Sequence, residues 1–222
     1  VCGRYLFVNH KKVACNLCWR LYFKPFLDKK CEVCGYPLRL SPGCEPLCGE
    51  CFRGRSFNFD AVDYFTLYDG IVEIAIKKLK FEFRRDIAEV LGDGIKLHLC
   101  KFLKKKKVDF VVPVPLHPDE LKVRGFNQCE LILRGAKIPF VSGVVRLYPG
   151  KRQSTLGKKE RRENVRGLFG LEKGIDFRGK TVCIFDDIFT TGSTADEIAR
   201  LLKDSGAKRV VVYTLARATT LK

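Results

Sequence analysis

The run Val182-Cys183-Ile184-Phe185-Asp186-Asp187-Ile188-Phe189-Thr190-Thr191-Gly192-Ser193-Thr194 constrains this chain more than any other stretch. A short, nearly continuous apolar segment of this kind, Thr181 to Phe185, reads as a strand buried on both faces, as in parallel sheets. Two carboxylates follow at its carboxyl end. A small, hydroxyl-rich turn then opens a helix predicted over Thr194 to Ser205, which Gly206 stops. Ligands of open α/β sheets sit at that edge. Gly192 lets the backbone approach a ligand, and the first N–H groups of a helix point outward without partners, which makes an anion site. Thr190, Thr191, Ser193 and Thr194 add hydroxyl donors. Acceptors beside anion donors suit a molecule carrying both vicinal hydroxyls and a phosphate. The plainer alternative is an Asp-rich helix start with a Thr or Ser cap.

The preceding chain alternates in the same way. Phe59 to Leu67 reads as a strand, Ile71 to Leu79 and Asp86 to about Leu103 as helices, and Val108 to Val114 as a second buried strand stopped by prolines. The tract Lys104 to Lys107 ends the second helix, where cations suit the negative end of its dipole. A helix is predicted over Asp119 to Arg134 and strands over Ile138 to Arg146 and Val210 to Leu215. Strands alternating with helices imply an α/β fold on a parallel sheet.

Residues 1–56 break this pattern. Eight of the eleven cysteines fall before Phe52, and the segment is cut by Gly and Pro without a sustained period, so apolar burial alone cannot hold it together. The composition shift divides the chain into a cysteine module, 1–56, and a larger domain, 57–222. No run of eighteen apolar residues and no signal-peptide-like start is present, which predicts a cytoplasmic protein. In a reducing compartment, close Cys pairs read as metal ligands. Cys31-x-x-Cys34 and Cys48-x-x-Cys51, thirteen residues apart, fit one structural Zn²⁺ bound by four thiolates. Cys15-x-x-Cys18 is a third knuckle, and Cys2 resembles half of a fourth. A second metal site is left open: residues ahead of Val1, His10 or Cys44 would have to complete it.

The formal charge is +17, which attracts phosphates on nucleic acid, lipid or metabolites without ranking them. Residues 151–166 hold seven Lys or Arg and two Glu. This long segment, including Arg152, Gln153, Lys158, Arg161 and Arg162, reads as a flexible basic loop: a lid over an anionic ligand, a grip on a nucleic-acid backbone, or a solvated charge run. Phe23, Phe26, Phe52, Phe57 and Phe59 are interleaved with cations, a pattern that serves either base stacking or docking of a small metal module.

The 182–194 segment closely resembles the phosphoribosyl-pyrophosphate signature of type I phosphoribosyltransferases. Pro113-Val114-Pro115-Leu116-His117, Arg124-Gly125-Phe126-Asn127-Gln128 and the loop around Gln153, Arg161 and Asn164, together with the cysteine module, resemble the ComF family of bacterial competence proteins over essentially the whole chain. The resemblance implies a Rossmann-like phosphoribosyltransferase domain behind an N-terminal zinc module. It assigns Asp186 and Asp187 to the ribose hydroxyls, directly or through Mg²⁺-bound water, as the catalytic pair. Thr190, Thr191, Gly192, Ser193 and Thr194 would hold the terminal phosphate, and Pro115, Leu116 and His117 would begin a pyrophosphate contact near Arg124. It further implies a role in natural transformation: phosphoribosyl pyrophosphate as substrate or regulator, single-stranded DNA as partner, and membrane-associated DNA-uptake machinery at the inner membrane. The alternative is a metabolic phosphoribosyltransferase with an unidentified nitrogen acceptor.

Overall fold

The computed structural model describes residues 14, 16–38, 45–148 and 167–219. Along the chain these form α1 (Asn16–Tyr22), α2 (Gly49–Phe52), β1 (Ala61–Leu67), α3 (Gly70–Phe81), α4 (Asp86–Lys106), β2 (Phe110–Pro113), α5 (Pro118–Arg124), α6 (Gln128–Gly135), β3 (Val144–Arg146), β4 (Phe169–Leu171), β5 (Thr181–Phe189), α7 (Ser193–Asp204) and β6 (Arg209–Arg217). Strands β1, β6, β5 and β2 make one parallel sheet in that order. The α/β architecture on a parallel sheet is as the alternation predicts.

β5 and β6 are central, and β6 is buried along nearly its whole length. That is why Val182 to Phe185 and Val210 to Tyr213 read as unbroken apolar runs. α7 packs on β5 and β6, while α4 and α6 pack against one another beside the sheet. A Cβ on Gly92 of α4 would lie 2.3 Å from the Ile132 carbonyl oxygen and 2.5 Å from the Ala136 nitrogen. The two backbones touch there, and only the absence of a side chain allows it. Gly92→Ala should therefore lower stability by about 1–3 kcal/mol through overpacking, despite the roughly 1 kcal/mol that Ala gains in helix propensity. A lowered urea midpoint with an unchanged slope would show this; a raised midpoint would contradict the close approach.

Three expectations are corrected. The predicted helix over 119–134 is two helices, because the chain turns after Arg124 and Asn127 caps the second by accepting from the Cys129 N–H at 2.8 Å. The strand expected over 138–146 shrinks to β3, which pairs antiparallel with β4 in a separate two-stranded sheet. Apolar residues at 138–141 are buried or half-buried without joining a ladder, a difference that apolar pattern cannot encode. Finally, β5 does not stop at Phe185: β6 runs far enough to pair Ile188 with Ala216 and Phe189 with Arg217, so both carboxylates belong to the strand.

The N-terminal segment has more regular structure than its sequence period suggested. α1 spans only seven residues, too few for a pattern to register. Cys18 and Phe23 are buried in the main core, and Phe26 N–H donates to Phe65 O at 2.7 Å on β1. Lys30 Nζ lies 2.6 Å from Asp63 Oδ1 on the same strand. Of the five interleaved phenylalanines, Phe23 and Phe26 pack against Phe65 and Tyr64 of β1, and Phe57 and Phe59 against Phe189 of β5, whereas Phe52 is 72% exposed.

Candidate functional site

Asp186 and Asp187 are neighbours near the carboxyl end of β5, and their carboxylates converge on one site. Asp186 is half-buried and Asp187 buried. The Asp187 N–H donates to Asp186 Oδ1 at 2.8 Å, and the Cys129 thiol approaches the same oxygen at 3.6 Å. Burial and the neighbouring Asp187 carboxylate push the Asp186 carboxyl up to about 7, against the pull of Lys80. Lys80 Nζ on α3 sits 2.5 Å from Asp187 Oδ2, both side chains being largely buried. Burial works against the Lys80 charge, but Asp187 and then Asp186 outweigh it and raise its affinity for a proton. Cys129, Asp186 and Asp187 also come within 4.8 Å of one another, with Lys80 supplying the local positive charge.

Lys80 escaped sequence reasoning. Its signal is a cation continuing the i, i+4 row Val72, Ile76, Lys80, whose first two members are 1% and 0% exposed. A charge on a buried stripe needs a partner, and the partner stands on a distant strand.

The turn after β5 carries Thr190 exposed and Thr191 and Gly192 buried. Gly192 has φ 82°, and a Cβ there would lie 2.5 Å from Phe189 Cζ and 2.9 Å from Phe57 Cε1. Left-handed backbone and closed space both require glycine at this position. Thr191 Oγ1 and Ser193 Oγ are 2.9 Å apart, and the Ser193 N–H reaches Thr191 Oγ1 at 3.3 Å. The predicted residues Thr190 to Thr194 therefore run from the end of the strand that holds the carboxylates into the first turn of α7, with Thr190, Thr191 and Gly192 between the two elements.

β2 delivers the next segment to the same edge. Pro113 pairs with Phe185, and the Val114 N–H donates to the Phe185 carbonyl at 2.9 Å. Pro115, Leu116 and His117 thus leave the sheet beside the carboxylates. His117 is buried and caps α5, its Nδ1 accepting from the Asp119 N–H at 3.2 Å. Arg124 donates to Gln128 Oε1 at 2.6 Å, and Asn127 Nδ2 ties the second helix to the Val114 carbonyl at 3.0 Å. Arg152, Gln153, Lys158, Arg161 and Arg162 lie outside the described residues, as do Cys2, Cys15, His10 and Cys44.

The sulfurs of Cys31, Cys34, Cys48 and Cys51 lie within 4.8 Å of one another. Short turns fold them together: the Cys31 N–H donates to Tyr36 O and the Gly35 N–H to Cys31 O, each at 2.8 Å. Cys34 Sγ and Cys48 Sγ are 3.6 Å apart, far beyond a disulfide. Four thiolates around a tetrahedral zinc stand about 3.8 Å apart, given Zn–S near 2.3 Å. The donor set fits such an ion. Cys18 is buried in the main core cluster.

Residues 132–221 match the family described as phosphoribosyl transferase domain. The whole chain extends the likeness. It is 30% identical over 185 residues to Competence protein F of Haemophilus influenzae, covering 77% of this chain and 78% of that protein. It is 31% identical over 229 residues to DNA utilization protein YhgH of Escherichia coli, covering 98% and 95%. The chain belongs to the ComF family. Competence protein ComFC of Streptococcus pneumoniae is similar as well, 28% identical over 199 residues, with 88% and 84% covered. Within this ComF chain the matched phosphoribosyltransferase span contains β5, the turn, α7 and β6, whereas Lys80 and the four cysteines precede it. Among the described residues no helix is long and apolar enough to cross a membrane.

Proposed function

We propose that this ComF protein binds phosphoribosyl pyrophosphate at the β5–α7 turn and acts on single-stranded DNA during its uptake or use. The observation that carries the ligand reading is the juxtaposition of Asp186 and Asp187 with the N-terminus of α7 at one sheet edge. The carboxylates would accept from the ribose hydroxyls, and the N–H and hydroxyl groups of Thr190 to Thr194 would hold the terminal phosphate. If the ligand is consumed, the leaving pyrophosphate makes the ribose ring positive, and Asp186 and Asp187 stabilise that charge. Mg²⁺ accompanying the ligand would neutralise its diphosphate. Zn²⁺ held by Cys31, Cys34, Cys48 and Cys51 would be structural. Pro115 to His117, beside the carboxylates, would face the diphosphate end, with Arg124 nearby.

DNA is supported by the names of the relatives and by the +17 charge. Titration calorimetry with phosphoribosyl pyrophosphate and Mg²⁺ tests the first part, and silence from the wild-type protein would end the proposal. For the second, affinity for a short DNA single strand should fall with salt and weaken when Arg161 and Arg162 are neutralised. Pyrophosphate release on adding a nitrogenous base, without any DNA affinity, would instead favour the metabolic alternative.

The raised Asp186 carboxyl gives a pH signature. An acid whose folded-state pKa is raised stabilises the fold most below its unfolded value near 4 and loses that contribution as pH rises through about 7. Ligand binding runs the opposite way, because hydroxyl donors need the ionised carboxylate. Affinity should rise with pH and flatten above about 7, with a slope of roughly tenfold per unit below it. Asp186→Asn, which stays neutral, should abolish the slope; a variant that keeps it would assign the proton elsewhere.

A further inference from the structure

The turn that this proposal loads with phosphate is held from behind by two guanidinium groups, and one of them belongs to the cysteine module. Arg55 follows the second Cys pair by four residues. Its Nη1 contacts the Glu50 carboxylate of α2, and its Nη2 donates to the Thr191 carbonyl oxygen. Its guanidinium carbon lies 4.8 Å from the centroid of Phe57, which in turn stacks on Phe59 at 4.6 Å and meets Phe189 edge-on. Phe57 also closes the space beside Gly192. Arg217, at the end of β6 and 4% exposed, donates through Nη1 to the carbonyls of Phe189 at 3.0 Å, Thr190 at 2.5 Å and Ala218 at 2.8 Å. Cys34, Cys48, Glu50, Arg55, Thr190 and Arg217 line one cavity of about 400 Å³. The cysteine cluster and the back of the turn therefore share a boundary.

Peptide geometry turns this into an effect on the ligand side. No peptide here is cis, and in a trans peptide the C=O and the following N–H point in opposite directions. Guanidiniums anchoring the Thr190 and Thr191 carbonyls direct the N–H groups of Thr191 and Gly192 away from the cysteine module. Among the described residues nothing accepts a hydrogen bond from either N–H. They are donors fixed in orientation before a ligand arrives, the preorganisation that makes anion binding strong.

We infer that Arg55 is a positioning residue for the phosphate turn, supplied by the cysteine module, so that metal in the four-thiol cluster and phosphate at the turn strengthen one another's binding. The cluster shapes the 48–55 segment, the segment aims Arg55, and Arg55 sets the 191–192 peptide plane. Coupling of this kind is reciprocal: whatever factor metal adds to phosphate affinity, phosphate adds to metal affinity. This rests on the phosphoribosyl pyrophosphate reading for the identity of the ligand.

The test uses full-length, metal-loaded protein and two ligand fragments. Arg55→Ala should weaken ribose 5-phosphate by about tenfold or more, the scale of one charge-assisted hydrogen bond, while Mg²⁺-pyrophosphate affinity stays at the wild-type value. Equal ribose 5-phosphate affinity in the two proteins, or parallel loss of both fragments, would overturn the inference. Should Arg55→Ala not fold, Glu50→Gln removes only the charged anchor of Arg55 and should give a smaller loss confined to the same fragment. Reciprocity supplies an independent readout: saturating ribose 5-phosphate should slow zinc transfer from the wild type to a colour-forming chelator, and should not do so for Arg55→Ala. Transfer unaffected by bound ribose 5-phosphate would refute the coupling. Wild-type protein that binds neither ribose 5-phosphate nor phosphoribosyl pyrophosphate would remove the ligand reading and the coupling together, an outcome distinct from variant and wild type binding alike.

Discussion

Asp187→Ala will lower the stability of this protein by about 3–5 kcal/mol and abolish phosphoribosyl pyrophosphate binding at the same time. The first effect follows from Lys80, whose ammonium lies 2.5 Å from the Asp187 carboxylate with side-chain exposures of 19% and 4%. Removing one partner of such a pair strands the other charge in a poorly solvated place, which is far worse than losing a surface pair. Lys78 with Glu82, 34% and 56% exposed, is the internal comparison: Glu82→Ala should change stability by under about 1 kcal/mol. The two effects at Asp187 can be separated. Combining Lys80→Met with Asp187→Leu replaces the pair by apolar side chains, which often restores stability, yet no carboxylate returns for the ribose. Urea unfolding should therefore recover in the double variant while calorimetry with the ligand stays silent. An Asp187→Ala protein with the wild-type urea midpoint would mean that Lys80 finds water or another acceptor.

Cys31→Ser will abolish zinc binding at the four-thiol cluster, if the cluster holds zinc as proposed, and unfold the segment around it. Apart from Cys31, Cys34 and Cys51 themselves, the module's own apolar cluster holds only partly buried groups such as Val33, Leu38, Leu47 and Phe57. A core that small contributes little, whereas a four-thiolate zinc contributes roughly 10–16 kcal/mol at neutral pH in isolated modules. The sheet has its own core of fully buried residues on β5, β6, α4 and α7 and should persist. Metal analysis should give zinc in the wild type and almost none in the variant. Limited proteolysis should cut within residues 24–56 of the variant alone, with far-ultraviolet circular dichroism largely unchanged. Full zinc content in Cys31→Ser would assign the metal to other ligands.

The division between these residues mirrors what sequence reading reaches. The turn at Thr190–Thr194 was legible because strand, carboxylates, Gly192 and helix start are contiguous, and each is a local preference. The cysteine pairs were legible because a knuckle is a short backbone turn with a fixed spacing. Breaks inside apolar patterns were read less well: Gly125 and Asn127 are a helix stop and a helix cap, yet they sit inside a stretch whose period reads as one helix, and the residues from Ile138 onward look like a strand whether or not a neighbour is there to pair with them.

The sequence alone determined the alternating α/β order, the sheet-edge turn with its two acids, and the four-thiol set, since all three depend on preferences expressed within a dozen residues. Only the tertiary structure decided that Lys80 neutralises Asp187, that Arg217 holds the turn's carbonyls, and that Arg55 reaches Thr191 across 136 positions of chain. Such contacts join elements far apart in sequence. Their existence depends on the order and register of strands β1, β6, β5 and β2, and the local chemistry of Lys and Arg is compatible with a partner or with water until packing removes the water.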